Sequence, residues 1–117
     1  MSTRSQIRII ENGKCTDVYH HCDGYFAGVG SQLKKILQVA ENTAQVLAEM
    51  NRYGGYEMTD GMHGDIDYWY VIDFDRNIYK GYGCEWPPWP EGTDFTRVDV
   101  MPEIDGQEMT LKEVYSE

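Results

Sequence analysis

The dipeptide Asn12-Gly13 stands between two strand-like runs, Ser5–Glu11 (SQIRIIE) and Lys14–His21 (KCTDVYHH). Asn-Gly supplies the two consecutive positive-φ residues of the turn whose twist matches that of paired strands. Flanked by β-branched segments, it predicts a β-hairpin over residues 5–21. Asp23-Gly24 marks a further turn, and Gly28 and Gly30 lead into a helical pattern. There Leu33, Ile36, Leu37, Ala40, Ala44, Leu47 and Ala48 recur every three or four residues, with Lys34, Lys35, Glu41 and Glu49 off the stripe. This spacing predicts one helix of roughly 20 residues from Ser31 to Arg52, about 30 Å long, stopped by Gly54-Gly55.

A polar, glycine-bearing loop then precedes IDYWYVIDF, residues 66–74. Tyr68, Tyr70, Ile72 and Phe74 fall on one face of that strand and Trp69 and Val71 on the other, so both faces are expected to be covered. Asp75-Arg76-Asn77 turns the chain, and residues 78–84 return as a fourth strand. Trp86-Pro87-Pro88-Trp89-Pro90 fits neither helix nor strand. Phe95–Met101 reads as a short edge strand, and Thr110–Tyr115 as a last helical turn or an extended tail. The expected architecture is α+β: an antiparallel sheet of four to five strands with one long helix packed on one face. A length of 117 residues suits a single domain, residues 1–117.

The most apolar long stretch, Val29–Met50, carries Lys34, Lys35, Glu41 and Glu49, whereas a membrane span needs about 18 uninterrupted apolar residues. The first ten residues lack the apolar core of a secretion signal, so a cytoplasmic location is expected. Cys15, Cys22 and Cys84 are an odd set without a CxxC pair, which reads as reduced thiols rather than a disulfide or zinc framework.

Charge is the most informative functional feature. The net charge is −10, and it is unevenly placed. Residues 1–56 hold six basic and five acidic side chains, whereas residues 57–117 hold four basic and fifteen acidic ones. Such a second half repels nucleic acid and anionic lipid and attracts basic partners. Asp65, Asp67, Asp73, Asp75, Glu91, Asp94 and Asp99 are the carboxylates expected to meet a partner, with Trp86 and Trp89 as rigid apolar anchors. Carboxylates gathered on one rigid face can replace phosphates in front of Lys and Arg, and binding of that kind inherits a steep salt dependence. A solvated, solubility-giving face is the alternative for the acids, and capping of the sheet by both indoles is the alternative for the tryptophans. The EF-hand calcium spacing does not occur.

The stretch His20-His21-Cys22-Asp23 offers a second class of chemistry. With His63, Cys15 or Cys84 it could form a metal site, or a Cys-His nucleophilic pair. Adjacent strand residues point to opposite faces, however, so His20 and Cys22 can cooperate while His21 faces away. The competing structural reading is a tight turn, with Asp23-Gly24 as an Asx-type turn and Gly28 and Gly30 as points of close approach. The GxG lacks the third glycine of a dinucleotide fingerprint, and no cofactor is expected.

The string His21-x-Asp23-Gly24-Tyr25-x-x-Gly28-Val29-Gly30 resembles the "HWDGYP…VG" signature of short uncharacterised proteins encoded by phages and mobile elements. The pair Tyr68-x-Tyr70-x-Ile72-Asp73 and Ile78-Tyr79-Lys80 is similar to a "YxYxID" strand pair in the same proteins. The likeness covers about residues 14–38 and 66–80, with Cys22 where that family usually has Trp and Phe26 where it usually has Pro. It implies a phage or prophage setting in a bacterial host cell. Joined to the charge asymmetry, it leads to the expectation of a non-enzymatic, anti-CRISPR-like inhibitor that binds a basic host protein or ribonucleoprotein complex, without direct nucleic-acid or membrane binding. A small-ligand or metal domain built on His20, His21, Cys22, Asp23 and His63 is the rival. Self-association through an exposed hairpin edge is a third reading.

Overall fold

The computed structural model describes residues 3–59, 61 and 66–83, and the backbone of the strand Gln107–Thr110. The strands are β1 (Ser5–Glu11), β2 (Lys14–His20), β3 (Tyr56–Thr59), β4 (Tyr68–Asp73), β5 (Ile78–Gly83) and β6 (Gln107–Thr110). They form one sheet in the order β3-β2-β1-β4-β5-β6, in which β6 extends five contiguous strands. The helices are α1 (Ser31–Leu37) and α2 (Thr43–Tyr53), and a π-helical turn over Phe26–Gly30 precedes α1.

The expected hairpin is present. Asn12 and Gly13 both have positive φ, and β1 pairs antiparallel with β2, Ser5 opposite His20 through Glu11 opposite Lys14. The sheet, however, is mixed rather than purely antiparallel, because β1 and β4 run parallel, Ser5 beside Tyr68 through Ile10 beside Asp73. These two central strands are covered on both faces. Such strands read as near-continuous apolar runs, which the segment Trp69–Ile72 shows. Because β1 lies between β2 and β4, and β2 between β1 and β3, the hairpin expected to expose an edge has none open.

The single long helix is also corrected: two helices stand in its place, and the break has identifiable causes. Asn42 takes extended angles, φ −154° and ψ 170°, and its side chain accepts a hydrogen bond from the Gln45 N–H at 2.9 Å. The Gln45 side chain accepts in return from the Glu41 N–H at 2.7 Å, a displaced version of the reciprocal capping box. A third orphan donor, the Thr43 N–H, reaches the Glu11 carboxylate at the end of β1, 2.8 Å away. Each such bond contributes about 1 kcal/mol, and together they favour a new helix start over continued α1. The break rotates the buried stripe: Val46 and Met50 face the core, while Ala44 and Ala48 are exposed.

The core on the helix side joins Ile7 and Ile9 of β1, Val18 of β2, Tyr70 and Ile72 of β4 and Tyr79 of β5 to Val29, Leu33, Ile36, Leu37 and Ala40. No described helix lies over the other face, yet Gln6, Arg8, Ile10, Tyr19, Trp69, Val71, Asp73 and Tyr82 are buried there. No helix among the described residues is long and apolar enough to cross a membrane.

Candidate functional site

The His20–Asp23 turn holds itself together with its own backbone. His20 is buried at the end of β2, and its Nδ1 lies 2.6 Å from the Cys22 carbonyl oxygen. A carbonyl only accepts, so Nδ1 carries the proton. The ring meets Tyr56 edge to face at 4.5 Å, and its Nε2 abuts Gly55, where a Cβ would come within 2.8 Å. The Cys22 carbonyl thereby fixes the tautomer and the ring orientation, and the close fit of Gly55 leaves no room for a side chain beside Nε2. His21 points the other way, 58% exposed, with Nε2 3.1 Å from the Glu57 carboxylate and its ring against Tyr19. The alternation of faces expected from the strand thus separates the two histidines, and no three His, Cys, Asp or Glu side chains gather as a metal set among the described residues. His63 and Cys84 lie outside the described residues. For Cys15, burial pushes the thiol up against the opposing pull of Arg8, which disfavours a reactive thiolate.

The glycine-rich stretch that follows is occupied by tyrosines from the sheet. Asp23 has φ 54°, its carbonyl accepts from the Val29 N–H at 2.8 Å, and a Cβ on Gly28 would collide with that same carbonyl oxygen. The Tyr70 hydroxyl donates to the Gly24 carbonyl at 2.7 Å, and the Tyr79 hydroxyl donates to the Gly30 carbonyl at 3.1 Å. Phe26 packs edge-on against Tyr68 and Tyr70. Burial keeps the Tyr79 phenol protonated by pushing its pKa well up, so it remains a donor. The glycine-rich turn Asp23–Gly30 and the tyrosine-bearing strand pair Tyr68–Tyr79 therefore meet face to face. Their spacing serves packing: the glycines bring backbone carbonyls within reach of phenols on β4 and β5.

Three of the acidic residues expected on a partner surface are described, and each engages backbone N–H groups. The Asp75 carboxylate accepts from Asn12 N–H at 2.7 Å and Gly13 N–H at 2.8 Å, which ties the β4–β5 turn to the first hairpin turn. Asp67 accepts from the Arg4 N–H at 3.2 Å, while its own N–H donates to the Arg4 carbonyl at 2.8 Å. Asp73, 1% exposed, accepts from the Arg76 N–H at 2.9 Å and lies 3.5 Å from the Arg76 guanidinium. Asp67 and Asp75 are exposed beyond opposite ends of β4, whose six residues span about 20 Å at about 3.3 Å per residue. Asp73 faces inward between them. Asp65, Trp86, Trp89, Glu91, Asp94 and Asp99 lie outside the described residues.

One feature escaped the sequence reading, which left residues 56–59 in a loop. Strand β3 ends the sheet beside α2, and between them opens a groove of about 220 Å³ lined by Val18, Leu47, Met50, Asn51, Tyr56 and Met58. Val18 and Met50 are buried at its floor, whereas Met58 is 64% exposed at its lip. Tyr56 is fixed there by a 2.8 Å hydrogen bond from its hydroxyl to the Gln32 side chain. Small-molecule sites occupy about 300–1,000 Å³, so this groove suits side chains better than a free cofactor. The signal available in the sequence was the alternation Tyr-Glu-Met-Thr directly after Gly54-Gly55. Comparison with known protein families, curated proteins and solved structures finds no match for this chain.

Proposed function

We propose that this chain is a non-catalytic phage or mobile-element accessory protein that acts in the host cytoplasm. It binds a basic host protein or ribonucleoprotein through its acidic second half and obstructs a nucleic-acid-binding defence complex of the CRISPR-effector kind. The observation that carries this reading is the charge asymmetry: fifteen acidic against four basic side chains over residues 57–117. Asp67 and Asp75 support it in a specific way. Carboxylates already held by backbone donors lose little side-chain freedom on meeting a lysine or arginine, and that loss otherwise costs about 0.5–1.5 kcal/mol per immobilised side chain. Asp73, being buried, contributes by holding the β4–β5 turn rather than by contact.

Immobilised protein incubated with host lysate tests the reading. At low salt it should retain a nucleic-acid-binding protein or complex, and added nucleic acid should displace that partner. Retention should collapse as ionic strength rises, because screening at 0.15 M already limits exposed charges to about 8 Å. Recovery of no nucleic-acid-binding partner, or retention indifferent to salt and to competing nucleic acid, overturns it. The metal reading makes a different prediction, stoichiometric metal in the purified protein, and the opposite facing of His20 and His21, the latter beside Glu57, weighs against it.

A further inference from the structure

We infer that the outer edge of β3 receives an extended segment of a basic partner as an additional antiparallel or parallel strand, whose side chains alternate between apolar and cationic. The inference rests on the reading of the protein as a binder of basic partners and names the place and the form of contact. Strand β3 terminates the sheet, and no described strand pairs with its outer side. Alternate backbone N–H and C=O groups of such an edge are directed outward, and strand addition uses them for affinity while side-chain pockets give specificity.

The two faces of this edge differ in chemistry. Tyr56 and Met58 lie opposite His20 and Val18 on the helix side and border the apolar groove. Glu57 lies opposite Tyr19 on the other side, 63% exposed beside His21. Side chains on a strand alternate with period two. An added strand that places apolar residues in the groove therefore places the intervening ones next to Glu57, where a lysine or arginine is favoured. A second copy of this chain fits poorly. It would bring another net charge of −10, and the registers that keep both sets of helices on one side set Glu57 opposite or diagonal to its counterpart, an unfavourable like-charge pair.

The test uses the purified full chain and two acetylated, amidated heptapeptides of one composition, one alternating lysine and valine and the other with the lysines and valines in separate blocks. Titration by calorimetry should show the alternating peptide binding at least about tenfold more tightly, a difference of 1.4 kcal/mol. Amides of β3 should gain protection from hydrogen exchange when it binds. Met58→Lys should abolish that preference and Glu57→Lys should weaken it several-fold. Val39→Lys, at a residue 65% exposed in the connection between α1 and α2, should leave it unchanged. Because Met58 is 64% exposed, its replacement should leave the melting temperature nearly unchanged, which circular dichroism melts verify. Equal affinity for the two peptides, or indifference to Met58→Lys, overturns the inference. So does a wild type that sediments as a dimer and becomes monomeric on Met58→Lys, since the occupant is then a second copy. A lysate pull-down that succeeds while the peptides fail removes the edge and leaves the acidic-half reading standing; the converse removes the host-complex reading and keeps the edge.

Discussion

On the helix side of the sheet, Ile7, Ile9, Tyr70 and Ile72 meet Leu33, Ile36 and Leu37, whereas on the other side the same strands bury Arg8 and Asp73 beside Trp69 and Tyr82. Both sides are shielded from water, and they contribute differently. Each buried aliphatic or aromatic side chain on the helix side stabilises by about 1.5–3 kcal/mol. On the other side Arg8 forms a two-pronged pair with Asp17, Nε to Oδ1 at 3.0 Å and Nη2 to Oδ2 at 3.3 Å. The net contribution of such a buried pair is small, because desolvation offsets most of the attraction. Its value is positional. Arg8 and Asp17 stand directly opposite in the β1–β2 ladder, and a one-residue slip would carry the guanidinium to the hydrocarbon face without a partner. One face drives collapse and the other specifies register.

The largest expected effect breaks this comparison if it is absent. Asp17→Ala leaves the Arg8 guanidinium buried beside an empty position and should lower unfolding free energy by about 3–5 kcal/mol, as much as deleting a core side chain. The double change Arg8→Met with Asp17→Leu should recover most of that loss or exceed the parent, as apolar replacements of buried ion pairs often do. Urea titrations with matched slopes measure both. If Asp17→Ala costs less than about 1 kcal/mol, water reaches the pair and the ionic side is not sheltered.

A smaller effect sharpens the helix side. Tyr70→Phe keeps the ring and removes the hydroxyl that donates to the Gly24 carbonyl, leaving a buried acceptor unsatisfied. The expected cost is about 1–3 kcal/mol. Should Tyr70→Phe be neutral, the Asp23–Gly30 turn is not held by β4, and its glycines need another explanation. Smaller again is Asn42→Ala, at about 1 kcal/mol, with faster hydrogen exchange confined to the first turn of α2.

How much of this was legible in the sequence depended on the range of the deciding interaction. The first hairpin was readable because Asn12-Gly13 dictates its own geometry, and β4–β5 was readable from a dense aromatic run around a polar turn. The split of the helix was half-readable: Asn42 and Gln45 carry the capping residues in the right spacing, but Glu11, which completes the break, is 32 residues away from Thr43. The parallel pairing of β1 with β4 left only an indirect trace, the continuous burial of both strands, since alternation does not reveal a neighbour's direction. At the candidate site, separation of His20 from His21 followed from strand periodicity alone. That Asp75 would hold Asn12 and Gly13, 63 and 62 residues back, followed from nothing local. β3 was overlooked because its alternation spans only four residues and follows a glycine pair that reads as the start of a loop, although it lies at an edge of the sheet.

The smallest predicted effect concerns the contact between β1 and α2. Hydrogen bonding to the side chain and backbone of Thr43 lowers the Glu11 pKa from its ordinary value of 4.5, against a slight opposing push from burial and Asp75. A carboxyl group with a depressed folded-state pKa releases its proton more readily in the native state than in the unfolded chain. The unfolded chain therefore binds more protons in the acid range, and stability rises with pH there. This contribution is complete above the ordinary value and is lost as pH falls through the depressed one. Glu11→Gln should accordingly melt slightly below the parent at neutral pH, and the gap should close as acidification passes below the ordinary 4.5 and through the depressed value. Because the carboxylate is only half-buried, molar salt should narrow the neutral-pH gap as well. A gap that persists unchanged into acid would mean that the Glu11 side chain supports α2 by shape rather than by charge. The start of α2 would then belong with the hydrocarbon side of the sheet, not with its paired charges.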